Sequence, residues 1–322
     1  MLDHIHIENF RLFKNLDIPK VGQVNLITGK NNSGKTTLLE MLRIWANRFS
    51  SVGINTAIDL MLINRGEANG NIEEAYKTIF YRYEEGIPSL FNKELSIAYL
   101  RDPDFGQFLL STRVNTQNQT NVHRRMNSGP KIIANPSNDN SFYVPAGFEL
   151  INSHLWKKIK LTDKEDKVCE VLHVIEPGIE RIDIDESDGS AMVRLKNSPK
   201  PLPLKNFGEG MNRLLTVALG LVSAENDMLL IDEIDLGLHH SVQRLLWEIV
   251  FQKSKDLNVQ VFATTHSSDC VQAFSDVANK PEYAGLGNYI RLQRSKKDGD
   301  IVAVDYEMEE LESAMDLNLE TR

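Results

Sequence analysis

The chain has 322 residues, a formal net charge of -9 and 41% hydrophobic residues, the composition of an ordinary globular protein. No stretch approaches the roughly 20 consecutive apolar residues that a membrane-spanning helix needs, and the N-terminus lacks the charged and apolar regions of a signal peptide. We therefore expect a cytoplasmic protein whose two cysteines, Cys169 and Cys270, are free thiols. The negative charge restricts any contact with nucleic acid to a local basic patch.

The first fifty residues predict two strands followed by a helix. Residues 2–8 alternate apolar and polar side chains, and residues 23–28 (QVNLIT) form an apolar run. Apolar residues then recur at helical spacing from Thr36 to about Arg48, directly after a glycine-rich turn.

The middle of the chain, from about residue 50 to 200, is less regular. Its pattern predicts two helices, two strands, a long mobile loop, further helices and a hairpin. In chain order these cover residues 55–63, 72–84, 94–101, 107–114, 115–140, 149–175, and 179–186 with 191–197.

The last third of the chain alternates helices and strands. The predicted elements are a helix over 209–224, a strand over 228–232, a helix over 241–254, a strand over 259–264, a helix over 268–278 and a hairpin around 297–299. Strands that alternate with helices indicate an α/β fold with a mainly parallel sheet covered on both faces.

Residues 29–36 (GKNNSGKT) match the phosphate-loop pattern GxxxxGK[ST] between a predicted strand and a predicted helix. The two glycines allow close backbone approach, the lysine reaches the β- and γ-phosphates, and the threonine hydroxyl binds Mg²⁺. A chance match has odds on the order of one in a hundred before this context is counted. The expected nucleotide contacts are Gly29, Asn31, Asn32, Ser33, Gly34, Lys35, Thr36 and Thr37.

A second candidate motif follows the apolar run MLLI, where Asp232 and Glu233 come at the expected carboxyl end of a parallel strand. There Asp232 could bind Mg²⁺, and Glu233 could orient or deprotonate the attacking water. His266 follows the next apolar strand and could donate to the γ-phosphate. Alone, a solvated carboxylate or a structural histidine explains these residues equally well; beside a phosphate loop the catalytic interpretation is favoured.

The order and spacing of the phosphate loop, LLIDE, IDLGLH and TTHS resemble ABC-type ATPases, closest to the soluble group of RecF, SMC and OLD-type (overcoming-lysogenisation-defect) proteins. The resemblance implies an ABC-ATPase head formed by residues 1–50 and 200–322, a P-loop NTPase with an inserted helical and β lobe over 51–199. It also implies that two copies bind two ATP molecules between them, each between the phosphate loop of one copy and a signature motif of the other.

The segment that matches the signature motif runs from Phe207 to Met211 and opens a predicted helix. By resemblance Gly208, Glu209 and Gly210 contact nucleotide, although Gly208 stands where transporters have serine. The alternative is a glycine-rich start of a core helix. The resemblance further makes Asp235 an acid at the dimer seam and Arg11 a basic residue near the nucleotide.

Residues 51–199 lack the sustained heptads of an SMC coiled coil, and no Toprim pattern follows the head. The chain therefore resembles a stand-alone AAA-family ATPase that gates a separate effector, such as a nuclease, as in two-gene prophage or anti-phage systems. The alternative is a RecF-like DNA-repair factor that binds DNA in an ATP-dependent way and loads other proteins, and DNA or RNA is a candidate partner in either case. Basic residues that could contact phosphates form two clusters, Arg113, His123, Arg124, Arg125 and Lys131, and Lys157, Lys158 and Lys160 beside Trp156. A solvated loop and a charged helix face explain them equally well.

Overall fold

The computed structural model describes residues 1–47, 51–67, 78–79, 95–102, 106–114, 120–126, 141–146, 151–173, 176–196, 198, 200–208, 210–306 and 311. The helix predicted over 72–84 lies outside these residues, apart from 78–79. None of the described helices is long and apolar enough to cross a membrane.

The described helices are α1 (Lys35–Ala46), α2 (Ser51–Asn64), α3 (Ile151–Ile159), α4 (Lys164–His173), α5 (Gly210–Ser223), α6 (His240–Asp256) and α7 (Ser268–Ala278). The described strands are β1 (Ile5–Phe10), β2 (Phe13–Ile18), β3 (Val24–Thr28), β4 (Leu95–Asp102), β5 (Gly106–Val114), β6 (Thr120–Met126), β7 (Ser141–Val144), β8 (Ile179–Ile184), β9 (Ala191–Leu195), β10 (Leu202–Pro203), β11 (Met228–Ile231), β12 (Gln260–Thr264), β13 (Gly287–Arg294) and β14 (Ile301–Tyr306).

Two compact units make up the chain, and each is formed from separate segments. The first contains Met1–Val21, Thr28–Asn140 and Ile290–Tyr306, and the second contains Gly22–Ile27, Ser141–Tyr289 and Glu307–Arg322. The division of the chain at residues 50 and 200 that the resemblance implies stays a prediction.

The first unit contains two antiparallel β structures and the helices α1 and α2. Strands β1 and β2 form a hairpin, with Ile5 opposite Ile18 and Phe10 opposite Phe13. Their apolar side chains alternate with polar ones, and the apolar set is fully buried. Strands β4, β5 and β6 form a separate antiparallel sheet.

Strand β6 corrects the predicted loop over residues 115–140. Residues 120–126 pair with β5 along its length, from Val114 opposite Thr120 to Phe108 opposite Met126. The segment TNVHRRM has few apolar residues, so its sequence gave no strand signal, and pairing of its backbone with the neighbouring β5 supplies the hydrogen bonds instead. The rest of the predicted loop lies outside the described residues.

The second unit is built on parallel strands in the order β3, β12, β11 and β7. Every residue of β3, β11 and β12 is buried, as expected of parallel strands covered on both faces. The α/β fold with a mainly parallel sheet flanked by helices is thus confirmed. Strand β7 was not predicted, because four residues after a polar stretch carry little periodic signal.

Aromatic packing joins helices α6 and α7 of the second unit. Trp247 is fully buried, and its ring meets that of Phe274 edge to face with centroids 4.9 Å apart. Its indole Nε1 donates to the carbonyl of Cys270 over 3.1 Å. One side chain therefore supplies both apolar contact and the hydrogen bond that its own burial requires.

We expect Trp247→Ala to lower the free energy of unfolding by about 3–5 kcal/mol, because it leaves a large cavity between the two helices. Trp247→Phe should cost less, about 1–3 kcal/mol, since it keeps ring contacts and loses the bond to Cys270. Urea denaturation followed by circular dichroism measures both. Equal losses for the two variants would contradict this account of the packing.

Candidate functional site

The phosphate-loop residues form a tight turn at the start of α1. Gly29, Asn32 and Gly34 have positive φ angles of 142°, 59° and 96°, which bend the backbone back toward the helix N-terminus. A Cβ on Gly29 would lie 2.3 Å from the carbonyl oxygen of Leu292, and one on Gly34 would lie 2.7 Å from the ring of Phe13. Glycine is required at both positions by conformation and by space.

Two polar side chains are held inside this turn. The Lys35 ammonium donates to the carbonyls of Gly29 and Lys30, over 2.7 and 3.2 Å, so it lies across the loop. The hydroxyl of Ser33 is buried and has no hydrogen-bond partner within the described part of the chain. A buried hydroxyl without a partner is uncommon in proteins and fits a loop whose polar groups serve a ligand.

Arg11 lies in a buried group of charges next to α1. Its guanidinium donates to both carboxylate oxygens of Glu67, over 3.2 and 3.0 Å, and its Nε lies 3.8 Å from Glu40. Arg65 donates to both oxygens of Glu40 and to the hydroxyl of Thr37. Arg11 is thereby connected to Thr37 of the phosphate loop through two ion pairs, and its role at the nucleotide stays a prediction.

Burial and ion pairing act in opposite directions on these carboxyl groups. Burial raises the pKa of Glu40, although Arg65 and Arg11 oppose the shift. Burial alone would also raise the pKa of Glu67, but hydrogen bonds from Arg11 and Thr78 outweigh it, and the pKa of Glu67 is lowered. The difference follows from exposure, because Glu40 is nearly enclosed whereas 28% of the Glu67 side chain is exposed.

In the second unit, the acids after β11 lie beside the residues that follow β12. Asp232 and Glu233 come directly after β11, and Glu233 has a left-handed backbone with φ 48°. The side chains of Glu233 and His266 are 40% and 42% exposed, and Glu233 Oε1 lies 4.0 Å from His266 Nε2. Both groups are thus adjacent and open to a ligand, while Asp232 is only 9% exposed.

Two threonines at the end of β12 contact the acids. The Thr264 hydroxyl donates to Asp232 Oδ1 over 2.6 Å, and the Thr265 hydroxyl donates to Asp235 Oδ1 over 2.6 Å. The backbone N–H of Thr265 donates to the carbonyl of Ile27 in β3, two residues before Gly29 in the sequence. The register of the parallel strands therefore aligns β3, β12 and β11 at their carboxyl ends.

Arg213 of α5 supports the same turn from the helix side. Its guanidinium donates to the carbonyls of Asp232 and Glu233, over 2.7 and 2.8 Å, and to that of Ile234 over 3.2 Å. Burial lowers the pKa of Arg213, while the neighbouring Asp235, Asp232 and Glu233 oppose the shift. A planar fork with several donors suits this row of carbonyls better than an ammonium group would.

The signature segment begins α5 next to the same turn. Gly208 has a φ of 106°, α5 starts at Gly210, and Glu209 lies outside the described residues. A Cβ on Gly210 would lie 2.9 Å from the side chain of Leu238, whose N–H donates to the carbonyl of Asp235. Gly210 and the Asp235 turn are therefore neighbours in this unit.

Sequence reasoning missed Arg213, Thr264 and Thr265. Each carried a weak signal, since Arg213 is the one charged residue in the helix GMNRLLTVALGLVS and the two threonines end a buried apolar strand. Polar residues in such positions need partners, but a sequence does not say which.

Two family profiles match parts of this chain, and its fold is similar to that of solved structures. Residues 1–123 match the family profile "AAA ATPase domain", and residues 157–269 match "AAA domain, putative AbiEii toxin, Type IV TA system". The structure is similar to an SMC head bound to the C-winged helix domain of ScpA, with a TM-score of 0.58 and 14% identity over 98% of this chain and 99% of that one. The chain therefore has the fold of an SMC head.

Two further proteins are similar to this chain. The SMC head domain from Thermotoga maritima has a TM-score of 0.53 and 12% identity, over 95% of this chain and 99% of that one. An "ATP/GTP phosphatase" from Helicobacter pylori is 22% identical over 88% of this chain and 90% of its own length.

We expect Arg213→Met to lower the free energy of unfolding by about 3 kcal/mol, because the carbonyls after β11 lose a charged donor. Arg194→Met is the matched control, since Arg194 is 45% exposed and pairs with Glu180 on the surface. That control should cost less than about 1 kcal/mol. Urea denaturation of the two variants checks this, and an equal effect would show that the Arg213 contacts contribute little.

Proposed function

We propose that this protein binds ATP with Mg²⁺ and hydrolyses it to ADP and phosphate, using Lys35, Thr36, Asp232 and Glu233. The observation that carries this proposal is the phosphate loop, in which three positive-φ residues precede α1 and the Lys35 ammonium rests on loop carbonyls. Phosphate oxygens would replace those carbonyls as acceptors, with the helix N-terminus adding further N–H donors.

The donor set fits Mg²⁺, since the Thr36 hydroxyl and the Asp232 carboxylate are the hard oxygen ligands that this ion prefers. When bound, the ion neutralises charge on the phosphate oxygens during transfer. Glu233 accepts a proton from the attacking water, and its exposed carboxylate beside His266 is suited to that role. His266 donates a hydrogen bond to the γ-phosphate.

We further propose that two copies close around two ATP molecules, and that the closed state gates a separate effector protein. Support comes from the placement of Gly208 and Gly210 at the start of α5 beside the Asp235 turn, which presents a helix N-terminus and an acid on one part of the second unit. The profile described as "AAA domain, putative AbiEii toxin, Type IV TA system" supports an effector on a separate polypeptide. A role in anti-phage defence is part of this proposal.

Lys35→Ala should weaken ATP binding by about tenfold to a hundredfold, because a charged hydrogen-bond donor to phosphate is lost. Titration calorimetry with ATP and Mg²⁺ measures this. Lys297→Ala, in the exposed hairpin turn, removes the same charge and should leave the affinity unchanged. Undetectable ATP binding by the unmodified protein, or equal affinity in Lys35→Ala, would refute the proposal.

Glu233→Gln should lower kcat by about a hundredfold or more while ATP still binds, because the group that accepts the proton from water is removed. The trapped ATP state should then elute as a dimer in size-exclusion chromatography with light scattering. Glu282→Gln, an exposed carboxylate in the same unit, is the control and should behave like the unmodified protein. A monomer with and without ATP would overturn the dimer proposal and leave hydrolysis standing.

A further inference from the structure

One buried hydroxyl contacts the first two acidic residues after β11, Asp232 and Glu233. The Thr264 hydroxyl donates to Asp232 Oδ1 over 2.6 Å and accepts from the backbone N–H of Glu233 over 2.8 Å. Thr264 is fully buried, so water does not replace either contact. The hydroxyl has one proton to donate, and the Asp232 carboxylate receives it.

The main chain of Thr264 adds a third contact to the same turn. Its carbonyl accepts from the N–H of Ile234 over 2.9 Å. Three successive residues after β11 are therefore bonded to a single residue of β12. Such a set of contacts fixes the direction in which the chain leaves the strand.

Because of this chain direction, the neighbouring acids Asp232 and Glu233 differ in their exposure to solvent. Glu233 adopts φ 48°, a left-handed conformation that costs a residue with a side chain about 1–3 kcal/mol. The bond from its N–H to Thr264 and the bond from Arg213 to its carbonyl maintain that conformation. As a result the Glu233 side chain is exposed beside His266, whereas Asp232 stays nearly buried.

We propose that Thr264 is a positioning residue for hydrolysis, which orients the Asp232 carboxylate and the Glu233 backbone through one hydroxyl. The inference rests on the proposed ATPase reaction at these acids. Valine has nearly the same shape, so Thr264→Val keeps the packing of β12 and removes both hydrogen bonds. The turn can then relax toward an ordinary backbone, and the acids lose their alignment.

The consequence for catalysis differs from a general loss of stability. The phosphate loop supplies its own donors, so the affinity for nucleotide without Mg²⁺ should stay the same. The rate of the chemical step and the gain in affinity that Mg²⁺ provides should both fall, since each depends on the orientation of an acid. Misplacement of catalytic groups by about 1 Å can cost a hundredfold in rate.

The experiment compares Thr264→Val with Thr264→Ser, which restores the hydroxyl, and with Thr216→Val. The Thr216 hydroxyl is also buried, lies 2.7 Å from Asn152 Oδ1 and 2.8 Å from the carbonyl of Asn212, and does not contact the acids. Steady-state kinetics give kcat and KM for ATP. Calorimetry with a non-hydrolysable ATP analogue, in Mg²⁺ and in EDTA, gives the gain in affinity from the ion.

Thr264→Val should lower kcat by about tenfold or more and reduce the affinity gain from Mg²⁺, with affinity in EDTA within about threefold of the unmodified protein. Thr264→Ser should recover kcat to within about threefold, and Thr216→Val should lose stability and keep kcat. If Thr264→Val does not fold, Thr264→Cys takes its place, because a thiol is a weak donor of similar size.

An unchanged kcat in Thr264→Val, a serine variant as slow as the valine variant, or an equally slow Thr216→Val would each overturn the inference. These results would leave the proposed function intact, because ATP binding that depends on Lys35 tests it separately. Should the unmodified protein bind ATP and hydrolyse none, the affinity gain from Mg²⁺ decides: an equal gain in Thr264→Val and the unmodified protein overturns the positioning role.

Discussion

The contact between the Arg213 guanidinium and the carbonyls that follow β11 is the constraint on which the candidate site of the second unit depends. A buried cation is costly unless it is surrounded by acceptors and opposite charge, and here carbonyls supply the first and Asp232, Glu233 and Asp235 the second. Asp232, Glu233 and Asp235 lie within four consecutive residues, so their negative charges repel one another. The positive charge of Arg213 offsets this repulsion. Helix α5 thereby anchors the acids to the segment that resembles a signature motif.

Local patterns in the sequence predicted the strands that consist of continuous apolar residues. The runs MLLI and QVFAT became β11 and β12, and the phosphate-loop pattern became a turn at the start of α1. Strands β6 and β7 were missed because what stabilises them is pairing with β5 and β11, which no short window of sequence contains. The same limit explains the site: Thr264 is 32 residues from Asp232, and only the register of parallel strands brings them together.

The sequence showed that Arg11 is a basic residue near the phosphate loop, but not which acids it pairs with. The sequence identifies a basic residue close to the phosphate loop, and the structure places it against Glu67, 56 residues away, with Glu40 nearby. Such a buried pair gains little free energy over apolar packing, but removing one partner leaves an uncompensated charge. Glu40 of α1 and Glu67 after α2 therefore fix where this guanidinium lies.

The ring of Phe13 lies where a Cβ of Gly34 would be, so the N-terminal hairpin forms one wall of the phosphate loop. The space beside position 34 is therefore already filled by Phe13, which adds to the backbone conformation as a reason for glycine there. A chain that began after Ile18 would keep every residue of the phosphate loop but would lose Phe13, which packs next to Gly34. The part of the chain that shapes this turn is therefore larger than the sequence pattern that identifies it.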